Sequence, residues 1–455
     1  MKQTEPLLTV GILSGTSLHF RFLSVYVCNE KEVCGQQTAS LSGGEILWNG
    51  KVYSALCFSP VEEEGCFELP GVTIGIGFHW ERTENQRFCG ALKLIVEGDR
   101  LTLVNIIPIE KYLESVISSE MNASAPLELL KAHAVISRSW VLAQQQKKVQ
   151  IESVKRQNLN GVCKDRAGRV CGKKASGSGN EETQEEEHIR WYDSEGHTQY
   201  DVCADDHCQR YQGITRAAHP AVRRAVEETR GQVLAYEGEL CDARFSKCCG
   251  GVMEEFRFCW EEKEVSYLQS YRDNASSCSR MDLRNEKEAE KWIRSTPEAF
   301  CHTRNREILS RVLNTYDRET SDFYRWGVVY SQEELSVLVN RRSGIDFGTI
   351  EDLQPVERGR SGRLVKLRIV GSKRSAVIGK ELEIRRTLSP SHLYSSAFVV
   401  DKKDGNFILT GAGWGHGVGL CQIGAAVMAS EGYDYRSILL HYYIGAQIEN
   451  CLEHR

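Results

Sequence analysis

The chain has 455 residues, of which 41% are hydrophobic and 26% are charged, and its formal net charge is −5. This length allows two or three domains, and the negative charge argues against a nucleic-acid binder because no global positive field would attract phosphates. No apolar run is long enough to span a membrane, and the N-terminal MKQTEPLLTVGILSG has too short an apolar run for an export signal, although a trimmed signal would leave the same trace.

Residues 1–105 are predicted to form a β-rich N-terminal region. Their β-branched and aromatic residues concentrate between Gly, Asn and Asp positions, which is typical of short strands. The five predicted strands are Leu7–Leu13, His19–Val27, Ile46–Phe58, Val72–Phe78 and Leu92–Ile107. We expect a small sheet or barrel that supports the rest of the chain and carries no chemistry of its own.

The stretch Tyr112–Trp140 predicts two helical segments separated by a short break. Pro108 can begin the first segment, since a proline at the first helical position loses only an unpartnered N–H. Ser124 is expected to cap the second segment. Glu120 falls in the break, beside an aliphatic helix face, where burial would favour its neutral form.

Three polar residues of this stretch, Ser124, Lys131 and Arg138, recur at intervals of seven and therefore form a stripe on one helix face in line with Glu120. The pattern alone has two interpretations. One is an acid beside a polar groove, and the other is a carboxylate at a helix N-terminus beside a solvated face.

The remainder of the chain predicts an α+β fold. Residues from about 144 to 199 are polar, with a lysine cluster and an acidic run, and are interpreted as a surface insertion. Helical and strand patterns then mix without a fixed repeat or a regular βα alternation. We predict two lobes beyond the β-rich part: a core over residues 106–280 and a second lobe over residues 281–455.

A metal-site candidate lies at His197, Cys203, His207 and Cys208. Two sulfurs and two imidazoles within twelve residues suit tetrahedral zinc, although the spacing is not that of a zinc finger. The odd total of 17 cysteines favours reduced thiols with a metal site over a disulfide framework. The competing interpretation is a pair of buried thiols with surface histidines.

The segment Gly411–Gln422, GAGWGHGVGLCQ, has five glycines among twelve residues. Such a loop lets backbone groups approach a sugar, while the ring of Trp414 can stack on the apolar face of that sugar. His416 and Gln422 complete the candidate binding set. His416 also has a structural interpretation, in which its ring is bonded within its own loop.

Two long motifs resemble signatures of the SpoIID/LytB-like family, the stage II sporulation protein D and amidase-enhancer proteins. The first is SEMNASAPLELLKAHAVISRSW, with S-E-M followed by K-A-x-A-V-x-x-R, and the second is GAGWGHGVGLCQIGAAVMASEGYDYRSILLHYYIGAQI. The segment FSKCCGG resembles a third, F-H-S-x-S-G-G, but departs from it at Ser246, Lys247 and Cys249. Cys421 stands where the family usually has Ser. Cys248 and Cys249 are interpreted as buried thiols or as additions to the metal region.

The resemblance implies a peptidoglycan lytic transglycosylase in which Glu120 is the catalytic acid and then the base. The C6 hydroxyl of N-acetylmuramic acid attacks its own anomeric carbon, and the product ends in a 1,6-anhydro sugar. One carboxyl is enough for this cycle, whereas glycosidases need two. The resemblance also implies a structural zinc at His197, Cys203, His207 and Cys208. Ser124, Lys131, Arg138, Trp414, His416 and Gln422 are expected to line the glycan groove.

Two rivals remain open. The first is a non-catalytic protein that presents glycan to a cell-wall amidase or activates it. The second is a metallohydrolase, which two thiolates disfavour because they are typical of structural zinc. The expected partners are peptidoglycan glycan strands and a cell-wall amidase, without nucleic acid. The family implies the cell envelope, while the missing export signal leaves the cytoplasm open.

Overall fold

The computed structural model describes residues 5–76, 81–160, 186–191, 197–205, 207–215, 219–275, 280–313 and 322–452. The predicted α+β class is confirmed, since strands and helices mix along the described ranges without a regular alternation. In these ranges no helix is both long and apolar enough to cross a membrane. The division into lobes stays a prediction.

The first half of the chain forms most of an eleven-stranded sheet with mainly antiparallel pairing. Its path runs β12-β1-β10-β9-β6-β2-β3-β4-β5, and β7 joins β2 and β8. The strands are β1 Leu7–Gly15, β2 Ser17–Cys28, β3 Lys31–Ser42, β4 Glu45–Trp48, β5 Lys51–Tyr53, β6 Leu56–Pro60, β7 Cys66–Ile74, β8 Arg82–Cys89, β9 Ala91–Glu97, β10 Arg100–Pro108 and β12 Val202–Cys203.

The predicted β-rich region is therefore real, but its strands are shorter and more numerous than expected. The single strand predicted over Ile46–Phe58 is three strands, because Asn49 and Gly50 both have positive φ and turn the chain between β4 and β5. The strand predicted over Leu92–Ile107 is the β9–β10 hairpin, turning at Gly98. The polar strands β3 and β8 were not predicted.

Helices α1 Ile109–Glu120 and α2 Leu127–Asn160 confirm the two predicted helical segments. Their interior faces pack against the sheet in one continuous core, which includes Leu113, Val116 and Ile117. Two details differ from expectation. Pro108 precedes α1 as its cap, and Ser124 does not cap α2, because its hydroxyl donates to Asn122 Oδ1, 2.9 Å away.

The predicted insertion begins later than residue 144. Residues 144–160 continue α2, and the side chains of Gln145 and Lys148 hold the segment before Cys203. Residues 187–189 form β11 (Glu187–Ile189), which pairs in parallel with β19 (Ser375–Gly379). Residues 161–185 and 192–196 of the predicted insertion lie outside the described residues.

The second half of the chain has a smaller core between residues 326 and 409, after which the chain returns to the first core. Sheets β11-β19-β18-β17 and β16-β21-β20 surround the smaller core, and β14-β13-β23 and β15-β22 complete the first. The remaining helices are α3 Pro220–Glu228, α4 Glu286–Arg294, α5 Arg306–Val312, α6 Gln332–Ser343, α7 Glu381–Thr387, α8 Gln422–Ser430 and α9 Tyr435–Tyr442. The remaining strands are β13 Gln232–Tyr236, β14 Glu239–Leu240, β15 Phe245–Ser246, β16 Arg325–Ser331, β17 Ile350–Arg358, β18 Leu364–Gly371, β20 Phe398–Lys403, β21 Asn406–Ala412, β22 Leu420–Cys421 and β23 Gln447–Asn450.

Candidate functional site

Glu120 is the last residue of α1, and its side chain is half-buried. Its Oε1 accepts a hydrogen bond from the backbone N–H of Arg210 at 2.9 Å. The C-terminal end of a helix carries partial negative charge, which disfavours a carboxylate there, whereas the N–H donor favours it. Glu120 is thus a positioned acid rather than a solvated side chain.

The loop that supplies this N–H also carries the metal-site candidates. It begins at β12, where Cys203 pairs with Gly11 of β1. Asp201 anchors the chain just before this loop, because its Oδ2 accepts hydrogen bonds from the backbone N–H and the hydroxyl of Thr9. A turn then returns the chain, with Tyr211 N–H donating to the Ala204 carbonyl. The metal loop, residues 203–211 as described except for residue 206, is therefore fixed at both ends, and Glu120 is bonded next to its second end.

His197, Cys203, His207 and Cys208 offer ligand atoms that all lie within 4.8 Å of one another. The Cys203 N–H donates to Cys208 Sγ at 3.4 Å, and hydrogen bonds from Cys208 and His197 lower the pKa of the Cys203 thiol. His197 Nε2 is buried and finds no hydrogen-bond partner in the described part of the chain. Two sulfurs and two imidazoles, one of which has a ring nitrogen without a hydrogen-bond partner among the described residues, fit a tetrahedral metal ion. The four predicted ligands are therefore together.

The prediction that Arg138 binds sugar is wrong. Its side chain is fully buried, and its Nε and Nη2 bond both carboxylate oxygens of Glu110 at 2.9 and 2.5 Å. The Nη1 donates to the carbonyl of Gln232 at 2.8 Å. A guanidinium with this arrangement joins α1, α2 and β13 and has no face open to a ligand.

Lys131 lies on the same helix face but pairs with two acids. Its Nζ is 2.8 Å from Glu128 Oε1 and 2.7 Å from Glu228 Oε2 of α3, and the side chain is 13% exposed. Ser124 is exposed in the break between the helices. The predicted stripe therefore faces α3 and β13 for most of its length. A seven-residue spacing places polar side chains on one helix face, and it does so equally for a ligand groove and for buried ion pairs.

The glycine-rich loop closes over two arginines. A Cβ at Gly417 would lie 2.5 Å from the Arg363 guanidinium, and one at Gly419 would lie 2.0 Å from the Arg244 carbonyl oxygen. Both glycines also have positive φ, which side chains rarely adopt. Arg363 is buried and donates to the carbonyls of Gly415 and Cys249. Packing around these arginines thus accounts for part of the glycine content that had been attributed to sugar binding.

Trp414 and His416 alternate with these glycines and are both partly exposed. Trp414 stacks on Phe323 at 4.8 Å between ring centroids. His416 Nδ1 accepts from the N–H of Val418 at 3.0 Å, so its ring is bonded within its own loop, as the structural interpretation predicts. Burial and the nearby charge of Arg244 hold the pKa of His416 well below its usual range. The lowered pKa favours the neutral form of the His416 ring.

Gln422 does not lie on an open surface. It is buried at the start of α8, and its amide donates to Nε2 of His133 at 3.2 Å, so that His133 Nδ1 can donate to Ser137 Oγ. Burial lowers the pKa of His133 to about 3. Of the predicted groove residues, Arg138 and Gln422 are buried, while Ser124, Trp414 and His416 keep exposed surface. The convergence of His416 with Glu120 on one cleft stays a prediction.

Glu254 is a buried acid that was not predicted. It lies beside the glycine-rich loop, where its N–H donates to the Gly417 carbonyl. Its carboxylate accepts from the hydroxyl and N–H of Ser361, and burial raises its pKa to about 7. A single Glu between Met253 and Glu255 gives no sequence signal of this environment.

The described fold is α+β and holds a helix-terminal acid beside a Cys/His loop. Residues 97–191 and 186–236 match the family described as "Stage II sporulation protein" (SpoIID), and residues 254–419 match a domain of unknown function. The SpoIID match contains Glu120 in its range 97–191 and the metal loop in its range 186–236. The predicted resemblance to the SpoIID/LytB-like family is thus confirmed over these residues.

Individual relatives agree. The chain is 27% identical over 233 residues to the amidase enhancer of Bacillus subtilis, a match that covers 50% of this chain and 32% of that protein. It is 24% identical over 348 residues to stage II sporulation protein D of Bacillus amyloliquefaciens, covering 76% of each. An uncharacterized protein of Brachyspira hyodysenteriae is 24% identical over 361 residues, covering 79% of this chain and 72% of that protein. The chain spans about a third of the amidase enhancer.

If the metal loop binds a metal ion, removal of that ion is expected to release the Arg210 N–H from Glu120. A chelator should lower the thermal midpoint and accelerate amide exchange across residues 203–211, because the ligands hold that loop closed. Hydrogen-exchange mass spectrometry with and without chelator measures this effect. Cys203→Ser should show the fast exchange without chelator, whereas the buried control Cys241→Ser should not. If neither chelator nor Cys203→Ser changed the hydrogen-exchange protection of the loop, the assignment of a metal site to this loop would be contradicted.

Stability should decrease as the pH falls from about 6.5. Burial lowers the pKa of His133 to about 3 in the folded protein, against an ordinary value of 6.5. Between pH 6.5 and 3, His133 therefore binds a proton in the unfolded chain but not in the folded one. The stabilisation is complete above 6.5 and is lost toward 3, by about 1.4 kcal/mol per pH unit for each such histidine. His416 acts in the same direction. Glu254 acts oppositely, since its raised pKa gives stability below 4.5 that is lost as the pH rises to about 7.

Urea unfolding at pH 5 and 6 tests this expectation. His133→Leu should reduce the pH slope by about one proton whatever its own stability, and His19→Gln, at an exposed position, should leave the slope unchanged. An unchanged slope in His133→Leu would mean that the imidazole is protonated in the folded protein.

Proposed function

We propose that the protein is a lytic transglycosylase that cleaves the glycan strands of peptidoglycan and leaves 1,6-anhydro-N-acetylmuramic acid ends. One observation carries the proposal: Glu120 ends α1, half-buried, with its carboxylate held by a backbone N–H. It lies within the residues that match the SpoIID family. The relatives' names, with their sporulation and amidase terms, support a role at the cell wall.

The arrangement suits a carboxyl that changes role during one turnover. Glu120 first gives its proton to the glycosidic oxygen, and the resulting carboxylate is stabilised by the Arg210 N–H. The carboxylate then takes a proton from the C6 hydroxyl as this oxygen closes onto the anomeric carbon. The helix C-terminus favours the neutral form at the start, and the N–H donor limits the energy cost of the charged form. A second carboxylate and an attacking water are not needed.

Zinc is the metal that best fits the donor set formed by His197 and the metal loop. His197, Cys203, His207 and Cys208 would hold it, and four protein ligands give a closed site that contributes to folding. The protein's own contribution is the Arg210 N–H, which the loop presents to Glu120. This closed set disfavours the metallohydrolase rival, since a hydrolytic zinc keeps a position for water.

The proposed glycan groove uses the exposed candidates. Trp414 offers an aromatic face, braced by Phe323, on which a sugar ring can stack. Ser124 is exposed four residues after Glu120. Lys131, engaged with two acids, contributes less than its position in the stripe predicts. The substrate implies that the protein works in the cell envelope.

The second candidate function is a non-catalytic enhancer of a cell-wall amidase. The name of the 27% identical Bacillus subtilis relative favours it, and so does the burial of Arg138 and Gln422, which removes two residues from the predicted glycan groove. In this alternative Trp414 and the glycine-rich loop bind glycan, and Glu120 has a structural role in holding the metal loop.

Incubation of the purified protein with denuded glycan strands and with intact peptidoglycan, followed by mass spectrometry of the products, tests the proposal. We expect 1,6-anhydro ends from at least one of the two substrates without any added amidase. Unchanged glycan, together with faster peptide release by an added cell-wall amidase, would favour the enhancer function.

A further inference from the structure

A second cluster of potential metal ligands lies apart from the metal loop. Cys249, Asp273, Cys301 and Cys421 offer three sulfurs and a carboxylate oxygen that all lie within 4.8 Å of one another. All four side chains are at most 3% exposed. They come from four segments spread over 172 residues, so their spacing in the sequence gives no metal motif.

The distances within the cluster suit a single ion. Cys249 Sγ lies 3.2 Å from Asp273 Oδ2 and 3.5 Å from Cys301 Sγ. Four ligands at metal–sulfur distances of about 2.3 Å are separated by roughly 3.8 Å along the edges of a tetrahedron. Both observed separations are a few tenths of an ångström shorter than this value, so the ligand atoms are close enough to share one ion.

Backbone donors converge on the sulfurs. Cys421 Sγ accepts from the N–H of Cys249 at 3.2 Å and from the N–H of Gly424, in the first turn of α8, at 3.4 Å. Cys249 Sγ accepts from the N–H of Gly251 at 3.4 Å. Hydrogen bonds to sulfur and a helix N-terminus both stabilise thiolates, the form in which cysteine binds metal.

The carboxylate is oriented as a ligand would be. Tyr442 donates its hydroxyl to Asp273 Oδ1 at 3.0 Å, and His441 Nε2 lies 3.2 Å from the same oxygen. These contacts turn Oδ2 toward the sulfurs. A fully buried carboxylate is costly unless a cation or strong donors balance it, and a thiol S–H is a weak donor.

We propose that Cys249, Cys301, Cys421 and Asp273 bind one tetrahedral divalent ion of the zinc class. Binding releases the thiol protons to solvent and leaves the oxidation states unchanged. The ion joins the segment after β15, the loop before α5 and the start of α8. Because Cys248 pairs with Trp414 through the backbone, the ion would also hold the glycine-rich loop in place. The proposed proton transfer at Glu120 does not involve this ion.

Metal content distinguishes the two sites. Elemental analysis of the purified chain should give two zinc ions, and the double variant Cys203→Ser/Cys208→Ser should retain one. Cys301→Ser should also lose one, whereas Cys241→Ser, at another buried cysteine, should keep both. A wild-type chain with one zinc that Cys301→Ser does not change would overturn the proposal.

A second measurement uses the wild-type protein, so it remains informative even if Cys301→Ser fails to fold. N-ethylmaleimide labelling of the wild-type protein, read by peptide mass spectrometry, should spare Cys249, Cys301 and Cys421 until a chelator removes the second zinc. Protection that persists after complete zinc removal would contradict the site. The metal site would also be overturned if the unreduced protein were lighter by two hydrogens and a cross-linked peptide joined two of these cysteines, because those cysteines would then form a disulfide.

Discussion

Replacing Glu120 by glutamine is expected to abolish glycan cleavage while leaving the fold and glycan binding nearly intact. Glutamine keeps the shape and can still accept the Arg210 N–H through its carbonyl oxygen, but it cannot transfer a proton. Loss of general acid catalysis costs about 10²–10⁴ in rate. The initial rate of release of anhydro-ended fragments, measured with denuded glycan strands, quantifies the effect.

Glu114→Gln is the matched control. Glu114 lies on the same helix but faces Lys111 and Arg223, away from the metal loop. This variant should keep the wild-type rate within a few-fold. An equal loss of activity in both variants would point to a general disturbance of α1. Cleavage that is unaffected by Glu120→Gln would remove Glu120 from the chemistry.

Replacing Arg138 by methionine is expected to destabilise the protein by about 3–5 kcal/mol, because it leaves the Glu110 carboxylate buried without its cation. Arg138 is fully buried and contacts both oxygens of that carboxylate. The remaining donor to Glu110 in this cluster is the N–H of Gly231, 3.3 Å from Oε1. The free energy of unfolding, measured by urea denaturation, gives the loss.

Two variants sharpen this test. Arg224→Met breaks an exposed pair with Glu228 and should cost about 0–1 kcal/mol. Adding Glu110→Gln to Arg138→Met should recover part of the loss, since it removes the unpaired charge. If Arg138→Met were as stable as wild type and bound glycan more weakly, the original assignment of Arg138 to the groove would be restored.

The sequence predicted those elements whose conformation follows from the pattern of neighbouring residues. Helices α1 and α2 follow from apolar periodicity. The β4–β5 hairpin was missed although its Asn49-Gly50 turn was visible, because the apolar run on both sides resembled one strand. Strand β3 is polar and pairs at the outer part of the sheet, so it lacks the alternation that identifies a half-buried strand.

The site was partly predictable for the same reason. The ligands of the metal loop lie within twelve residues and were found together. The role of Arg138 depends on Glu110, 28 residues earlier, and a helical period alone cannot distinguish such a buried pair from a groove. The bond from Arg210 to Glu120 uses a backbone N–H, which every residue except proline carries, so no residue type could signal it.

Cleavage in water enriched in heavy oxygen tests the central claim most directly. Wild-type protein acting on denuded glycan strands should yield 1,6-anhydro-N-acetylmuramic acid ends without heavy oxygen, because the attacking oxygen belongs to the sugar itself. Glu120→Gln should yield almost no ends of either kind. Reducing ends that carry the heavy oxygen would contradict the account, since they require an activated water and a second catalytic group.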